Sequence, residues 1–232
     1  MKFHFFRKLT RNYINMRNLS QYNYSLYIIT DQKLTGNRSI AQVVRLAIAG
    51  GATFIQYREK MANTRKMVKQ AQVLHKIAIK AKIPLIINDR IDVALAVDAE
   101  GVHVGQDDMP ASLARKLIGP DMILGVSANT VEEAIKAEKD GADYLGAGPV
   151  FPTPTKPDAD PPIGLKGLLT IKKAVSIPVV AIGGINAKNA EDVIKIADGI
   201  AVISAVMGAK NPKKATEELS IIVKRHKEKK IL

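Results

Sequence analysis

The sequence contains no cysteine and no tryptophan, and aromatic residues make up only 5% of its 232 residues. Without cysteine the chain can form neither a disulfide framework nor a thiolate metal site, which fits a reducing compartment and leads us to expect a cytoplasmic protein. No apolar run reaches the ~18 residues that a membrane-spanning helix requires, so no membrane association is expected. Histidine and cysteine do not cluster, which argues against zinc.

Acidic residues are absent from the first 20 positions, and the chain as a whole carries a formal net charge of +13. We interpret residues 1–24 as a basic N-terminal extension; the alternatives are a transit peptide and translation that begins at Met16. Basic residues also crowd the C-terminal end. No nucleic-acid motif accompanies either cluster, so we read both as solvated charge and expect no nucleic-acid partner. The positive excess would help to attract a phosphorylated substrate.

From Leu26 onward, short apolar runs alternate with amphipathic segments that have helix signals, such as a Ser39 cap and a Thr130/Glu133 capping box. The runs are nearly continuous in apolar residues, as buried parallel strands are. No glycine-rich nucleotide motif follows the first run, which argues against an open doubly wound sheet. Residues 25–232 are therefore predicted to form one (β/α)8 TIM barrel. Its eight strand candidates are LYIIT, TFIQYR, PLIIN, GVHV, ILGVS, YLGAG, PVVAIGG and GIAVIS.

The second strand brings Gln56, Arg58 and Lys60 to one face, because side chains alternate along a strand. An arginine fork beside a lysine point charge suits a diphosphate, and ligands of such barrels bind where these side chains lie, at the carboxyl ends of the strands. The alternative is an internal ion pair with Glu59 or with a neighbouring strand.

Carboxylates follow the third and fourth strands, at Asn88-Asp89 and at Asp107-Asp108. Oxygen ligands of this kind suit Mg²⁺, which usually shares them with substrate phosphates and water. Either aspartate could instead cap the helix that follows it. Spacing alone does not separate a magnesium site from a pair of helix caps. His103, inside the fourth strand, is left open between a hydrogen-bonded core residue and a catalyst.

The later strands point to a second anion site. Glycines 183 and 184 and the pair Ile203-Ser204 end the seventh and eighth strands, where phosphate sites of these barrels are often built. Ser127 ends the fifth strand. A long loop after the sixth strand offers Thr153, Thr155 and Lys156 as an anion clamp. Two anion sites at one mouth indicate transfer of an activated group from a diphosphate to a phosphorylated acceptor.

At these residues the sequence closely resembles the thiamine-phosphate synthase family, from Leu26 to the last helix. The motifs that carry the resemblance are LYIITD, FIQYREK, PLIINDRIDVALAVDAEGVHVGQDDMP, GVSANT, GADYLGAGPVFPTPTK, PVVAIGGI and GIAVISA. The resemblance implies that hydroxymethylpyrimidine diphosphate and hydroxyethylthiazole phosphate are joined to give thiamine phosphate and pyrophosphate. It also implies a dissociative mechanism, in which pyrophosphate leaves before the thiazole nitrogen attacks.

The resemblance implies roles for individual residues as well. Mg²⁺ is expected on Asp89 and Asp108, and charge stabilisation on Arg58, Lys60 and Lys156. The pyrimidine diphosphate is expected at Gln56, Tyr57, Arg58, Glu59, Lys60, Asn88, Ser127 and Lys156; the thiazole phosphate at Thr153, Pro154, Thr155, Gly184, Ile203 and Ser204. The alternatives are a thiazole tautomerase-like paralogue and a non-catalytic phosphate-binding barrel. The oligomeric state is left open, with a homo-oligomer as one alternative.

Overall fold

The computed structural model describes residues 22–153, 155 and 160–229, with side chains described as far as Lys227. Residues 1–21 of the predicted N-terminal extension lie outside this part of the chain. Pro154 and Lys156, both expected to contact substrate, also lie outside the described residues.

Eight parallel strands form a closed barrel in the order of the sequence, which confirms the predicted (β/α)8 architecture. The pairing of β8 with β1, in which Tyr27 lies opposite Ala201, closes the sheet. Closure brings the carboxyl ends of all the strands to one face of the molecule. The strands are β1 Leu26–Ile29, β2 Phe54–Tyr57, β3 Leu85–Asn88, β4 Gly101–Val104, β5 Ile123–Ala128, β6 Tyr144–Ala147, β7 Val179–Ile182 and β8 Gly199–Val202.

Helices follow the strands, and a 3-10 turn at Gln32–Leu34 comes after β1. Both predicted caps are formed: Ser39 makes a capping box with Gln42, and Thr130 makes one with Glu133. None of the helices among the described residues is long and apolar enough to cross a membrane. The helices are α1 Ile40–Ala49, α2 Thr64–Ala81, α3 Ile91–Val97, α4 Ala111–Ile118, α5 Val131–Lys139, α6 Gly164–Ala174, α7 Ala190–Ile194, α8 Ser204–Met207 and α9 Pro212–Lys229.

The hydrophobic residues pack in two clusters. The larger one lies between strands and helices, and the smaller one fills the barrel. Inside the barrel, Tyr24 stacks on Phe54 with ring centroids 4.9 Å apart and lies 5.1 Å from Tyr144. Tyr24 is only 5% exposed, so the packed core includes the last residue of the segment that the sequence assigned to the extension. This aromatic filling supports the mouth of the barrel from below.

Candidate active site

A cavity of about 280 Å³ opens at the carboxyl ends of the strands. All eight strands or the loops after them contribute to its wall, so residues far apart in sequence meet there. Among the described residues, twelve of the fourteen predicted site residues line it: Gln56, Arg58, Lys60, Asn88, Asp89, Asp108, Ser127, Thr153, Thr155, Gly184, Ile203 and Ser204.

Tyr57 and Glu59 are the two that the structure keeps away from the cavity. The Tyr57 side chain points outward, where its hydroxyl donates to Gln70 Oε1 of α2 at 2.6 Å. The Glu59 carboxylate accepts the N–H groups of Met61 and Ala62, at 2.7 and 3.2 Å. Strand alternation explains both placements, because these residues lie between the inward positions 56, 58 and 60.

Two cations line one side of the mouth, and each has a carboxylate near it from a neighbouring strand end. Lys60 Nζ forms an ion pair with Asp89 Oδ2. Arg58 Nη1 lies 3.8 Å from Asp31 Oδ2, a distance too long for a good hydrogen bond. The internal ion pairs considered from the sequence are therefore made with carboxylates at neighbouring strand ends, Asp89 and Asp31, and not with Glu59. Lys60 is half-exposed, which leaves it accessible to an anion.

Asp89 and Asp108 come together at the end of β3 and after β4. Neither is a helix cap: α3 begins after Arg90 and α4 after Pro110, and no side chain caps either helix. Asp89 has a φ of 57°, a left-handed conformation that non-glycine residues seldom adopt and that is concentrated at functional sites. Asp108 Oδ2 instead accepts the N–H of Gly105 at 2.8 Å and closes the turn after β4.

The two carboxyl groups hydrogen-bond to each other, which affects their ionisation. Burial raises the pKa of Asp89, and the hydrogen bond and charge of Asp108 raise it further. Burial acts in the same direction on Asp108, but hydrogen bonds from Asp89 and from the Gly105 N–H lower the pKa of Asp108 overall. Two carboxyl groups in direct interaction favour either a shared proton or a cation between them.

The donor set fits Mg²⁺ rather than a metal held entirely by protein. No group of three or more His, Cys, Asp or Glu side chains with metal-binding geometry occurs among the described residues. Mg²⁺ commonly takes one or two carboxylates and completes its shell with water and substrate phosphates. Asp89 and Asp108 provide that number of carboxylates beside two cations that suit a phosphate.

Buried polar groups form the floor of the cavity. Gln56 Nε2 donates to Tyr27 Oη at 3.0 Å, and Tyr27 Oη lies 2.9 Å from Tyr144 Oη. His103 lies between the hydroxyls of Tyr144 and Ser127, 3.0 Å from each. Burial lowers the pKa of His103 to about 4, against a weaker opposing effect of Asp108. His103 is thus hydrogen-bonded and neutral at pH 7, on the cavity floor.

The opposite side of the mouth is made of glycines and hydroxyls. Gly183 and Gly184 have φ angles of 98° and 64°, and a Cβ on Gly184 would lie 2.6 Å from the carbonyl oxygen of Pro152. Only glycine accommodates both the backbone angle and this close approach. Among the described residues, no acceptor bonds to the N–H of Gly184. Ser204 begins α8 beside it, and Thr153 and Thr155 add hydroxyls.

Several residues of the mouth were not predicted from the sequence. Gln106 Nε2 donates to the carbonyl oxygen of Ser127 at 2.6 Å. Asn129 donates to the carboxylate of Asp160, which joins the loop after β5 to the loop after β6. Tyr27 and Tyr144 are absent from the predicted site because inward aromatic residues of a strand look like ordinary core.

The model of the family described as thiamine monophosphate synthase matches residues 26–206. The chain belongs to this family. The thiamine-phosphate synthase of Chloroflexus aurantiacus is 56% identical over 208 residues, which are 89% of this chain and 96% of that protein. The thiamine-phosphate synthase of Clostridium novyi is 54% identical, over 80% of this chain and 91% of that protein.

A solved structure of thiamine phosphate pyrophosphorylase from Pyrococcus furiosus is similar to this thiamine monophosphate synthase family member over most of its length. The TM-score is 0.81 at 50% identity, over 88% of this chain and 96% of that one. A thiamine phosphate pyrophosphorylase from Bacteroides thetaiotaomicron has a TM-score of 0.63 at only 13% identity, and this likeness shows the fold alone.

Proposed function

We propose that the protein joins hydroxymethylpyrimidine diphosphate to hydroxyethylthiazole phosphate, releasing thiamine phosphate and pyrophosphate. The observation that carries the proposal is the pairing of two unlike walls at one mouth. One wall has Arg58, Lys60 and the Asp89/Asp108 pair, and the other has the Gly184 backbone and the Ser204 hydroxyl. Family membership supports the same reaction.

The first wall would hold the diphosphate. Arg58 offers a planar pair of donors and Lys60 a compact charge, and both suit phosphate oxygens. Arg58 is only weakly engaged, since it lies 3.8 Å from Asp31, and Lys60 pairs with Asp89 but is half-exposed and can be reached by an anion. An incoming diphosphate can therefore displace these contacts. Lys156, which follows Thr155 in the loop after β6, is proposed to add a third positive charge.

Asp89 and Asp108 are proposed to hold Mg²⁺ together with the diphosphate. When bound, Mg²⁺ would supply positive charge that stabilises the departing pyrophosphate. A bound cation would favour the ionised form of both carboxyl groups. Lys60, which pairs with Asp89, would then be free to move toward a phosphate oxygen.

The second wall would hold the phosphate of the thiazole. Backbone N–H groups at Gly184 and Ser204 and the hydroxyls of Thr153 and Thr155 donate hydrogen bonds without adding charge. Pro154 would fix the loop between these two threonines, and Ile203 would contact the ring. Neutral donors suit a single phosphate group, whereas the cationic side suits the more highly charged diphosphate.

The chemistry needs charge stabilisation and alignment rather than a strong base. Loss of pyrophosphate from the pyrimidine methylene leaves a cation that the thiazole nitrogen attacks, so no proton has to be removed. Arg58, Lys60 and Lys156 would stabilise charge that grows on the leaving group. Asn88 and the floor residues Gln56 and Ser127 would hold the pyrimidine ring against the thiazole. His103, neutral and enclosed by hydroxyls, is not suited to act as a base.

The direct test is an assay of the purified protein with both substrates. We expect thiamine phosphate and pyrophosphate in equal amounts with Mg²⁺, and neither with EDTA. Omitting either substrate serves as the control. A protein that binds both phosphates but makes no product would contradict the proposal and favour a non-catalytic barrel. Conversion of the thiazole phosphate alone into an isomer would favour the tautomerase-like alternative.

A further inference from the structure

A continuous chain of hydrogen bonds crosses the floor of the cavity from β2 to β5. It runs from Gln56 through Tyr27, Tyr144 and His103 to Ser127, with heavy-atom distances of 3.0, 2.9, 3.0 and 3.0 Å. None of the five side chains carries a charge. All five side chains line the cavity, and the two ends, Gln56 and Ser127, are the proposed substrate contacts. The three middle residues are proposed contacts of neither substrate.

The amide of Gln56 sets the direction of every proton in this chain. Because Gln56 Nε2 can only donate, Tyr27 Oη accepts from it. The buried Tyr27 proton also needs an acceptor, and among the described residues Tyr144 Oη is the group that can take it. Tyr144 then donates to His103 Nδ1, and a neutral histidine with an accepting Nδ1 carries its proton on Nε2. His103 Nε2–H therefore donates to Ser127 Oγ.

This order leaves a hydrogen-bond acceptor for a ligand at one end of the chain and a donor at the other. Gln56 Oε1 accepts no hydrogen bond from any described residue, so it faces the cavity as an acceptor. The Ser127 hydroxyl already accepts from His103, so its own proton is available as a donor. Reversing either end would require every hydroxyl in the chain to reverse and the His103 proton to move from Nε2 to Nδ1. The donor or acceptor character of Gln56 is thereby coupled to that of Ser127.

We propose that Tyr27, Tyr144 and His103 are positioning residues that hold Gln56 as an acceptor and Ser127 as a donor, and so select a ring with an amino group next to an unprotonated ring nitrogen. Such an aminopyrimidine edge donates through its amino N–H and accepts at the nitrogen. The 4-oxo analogue reverses both groups, because it has a carbonyl oxygen next to a ring N–H. This inference rests on the proposed function and names what determines its ring specificity.

The strands are built to make room for this chain. Gly125 of β5 lies in register with His103 on one side and with Tyr144 on the other. A Cβ at Gly125 would come within 3.0 Å of Tyr144 and of His103 Nδ1, and one at Gly146 would lie 3.0 Å from His103 Cε1. Glycine inside a strand weakens packing and often marks a close approach. Here two glycines leave room for the polar pair Tyr144 and His103. Apolar side chains would fill the same space and would need no hydrogen-bond partners.

Tyr144→Phe tests the proposal, because it keeps the ring and removes the hydroxyl that joins Tyr27 to His103. The measurement is kcat/KM for the 4-amino pyrimidine diphosphate and for its 4-oxo analogue, each with saturating thiazole phosphate and Mg²⁺. We expect the wild-type preference for the amino substrate to fall by at least about tenfold in the variant, since Gln56 and Ser127 can then reverse independently. The KM for thiazole phosphate should stay unchanged.

Tyr24→Phe is the matched control. Tyr24 packs against Tyr144 in the same aromatic cluster, but its buried hydroxyl has no hydrogen-bond partner among the described residues. We expect this variant to keep the wild-type amino-to-oxo preference. Tyr27→Phe is a second test that breaks the chain one link nearer Gln56, and the double variant Tyr27→Phe/Tyr144→Phe should lose no more preference than either single variant.

The outcomes separate this inference from the proposed function. A wild-type protein that makes no thiamine phosphate contradicts the proposed function itself. An active wild type whose Tyr144→Phe and Tyr27→Phe variants keep the full amino-to-oxo preference overturns the inference alone. The inference is also overturned if Tyr24→Phe loses as much amino-to-oxo preference as Tyr144→Phe and Tyr27→Phe, because the effect would then come from packing.

Discussion

Replacing Gly125 with alanine should disrupt the floor of the barrel more than the small size of the change suggests. Gly125 pairs with β4 on one side and with β6 on the other, so its backbone cannot move away. A Cβ there would come within 3.0 Å of Tyr144 Cζ, Tyr144 Oη and His103 Nδ1. Tyr144 has no free space to withdraw into, because its ring packs on those of Tyr24 and Phe54.

Two effects determine the size of the loss. The atoms must separate by on the order of 1 Å to reach ordinary contact, and overpacking of this kind costs about 1–3 kcal/mol. Moving Tyr144 away from His103 also leaves buried polar groups unpaired, at about 1–3 kcal/mol. Together we expect a loss of about 2–6 kcal/mol, which in a domain of this size lowers the Tm by roughly 4–24 °C.

Thermal and urea unfolding of Gly125→Ala and wild type measure this loss. Gly146→Ala is the internal control, since its nearest clash is milder, at 3.0 Å from His103 Cε1. Gly208→Ala, at an exposed helix end, should change the Tm little. The packing explanation is refuted if Gly125→Ala is as stable as Gly208→Ala.

Three further outcomes follow from the structure. Asp89→Asn should lower turnover by at least about 100-fold while thiazole-phosphate affinity, measured by calorimetry, stays unchanged; the reverse pattern would contradict the metal assignment. Glu100, 3.0 Å from His75, raises the pKa of that histidine in the folded protein. That pair therefore stabilises the fold fully below pH ~6.5, and the stabilisation is lost as the pH rises through the raised pKa. Glu100→Gln should accordingly lower the free energy of unfolding in urea more at pH 6 than at pH 9. An equal loss at both pH values would refute the link. Thr130→Ala removes a helix cap and should lower stability by about 1 kcal/mol, with unchanged activity as its control.

The sequence predicted the barrel well because the evidence for it is local. Each strand is a short apolar run that ends at a polar or glycine residue, and helices such as α1 and α5 have their own periodicity and capping box. α2 spans Thr64–Ala81, as its apolar positions predict. Strand alternation likewise predicts that Gln56, Arg58 and Lys60 face the mouth, and it also explains why Tyr57 and Glu59 do not.

Other features of the site depend on how distant segments meet. The sequence left Asp89 and Asp108 open between caps and metal ligands, and the backbone decides against caps: Asp89 turns with a φ of 57° and Asp108 bonds to Gly105. His103 was open because a single strand position does not reveal its neighbours. Only closure of the barrel places it between Tyr144 and Ser127.

A signal for the floor was nevertheless present in the sequence. The strands ILGVS and YLGAG each carry an inward glycine, at 125 and 146, where a branched residue would be usual. Glycine at such positions indicates that another group needs the space. Pairing this signal with the histidine of GVHV would have pointed to a buried polar contact, although not to Tyr27 or to the direction of the hydrogen bonds.

We infer that Arg58, Lys60, Asp89 and Asp108 form one magnesium-dependent diphosphate site. Calorimetric titration with pyrophosphate, with and without Mg²⁺, tests this site without depending on turnover. We predict that Mg²⁺ strengthens pyrophosphate binding to the wild type and has little effect on an Asp89→Asn/Asp108→Asn variant. Equal pyrophosphate binding with and without Mg²⁺ in the wild type, or an undiminished magnesium effect in the variant, would contradict the claim.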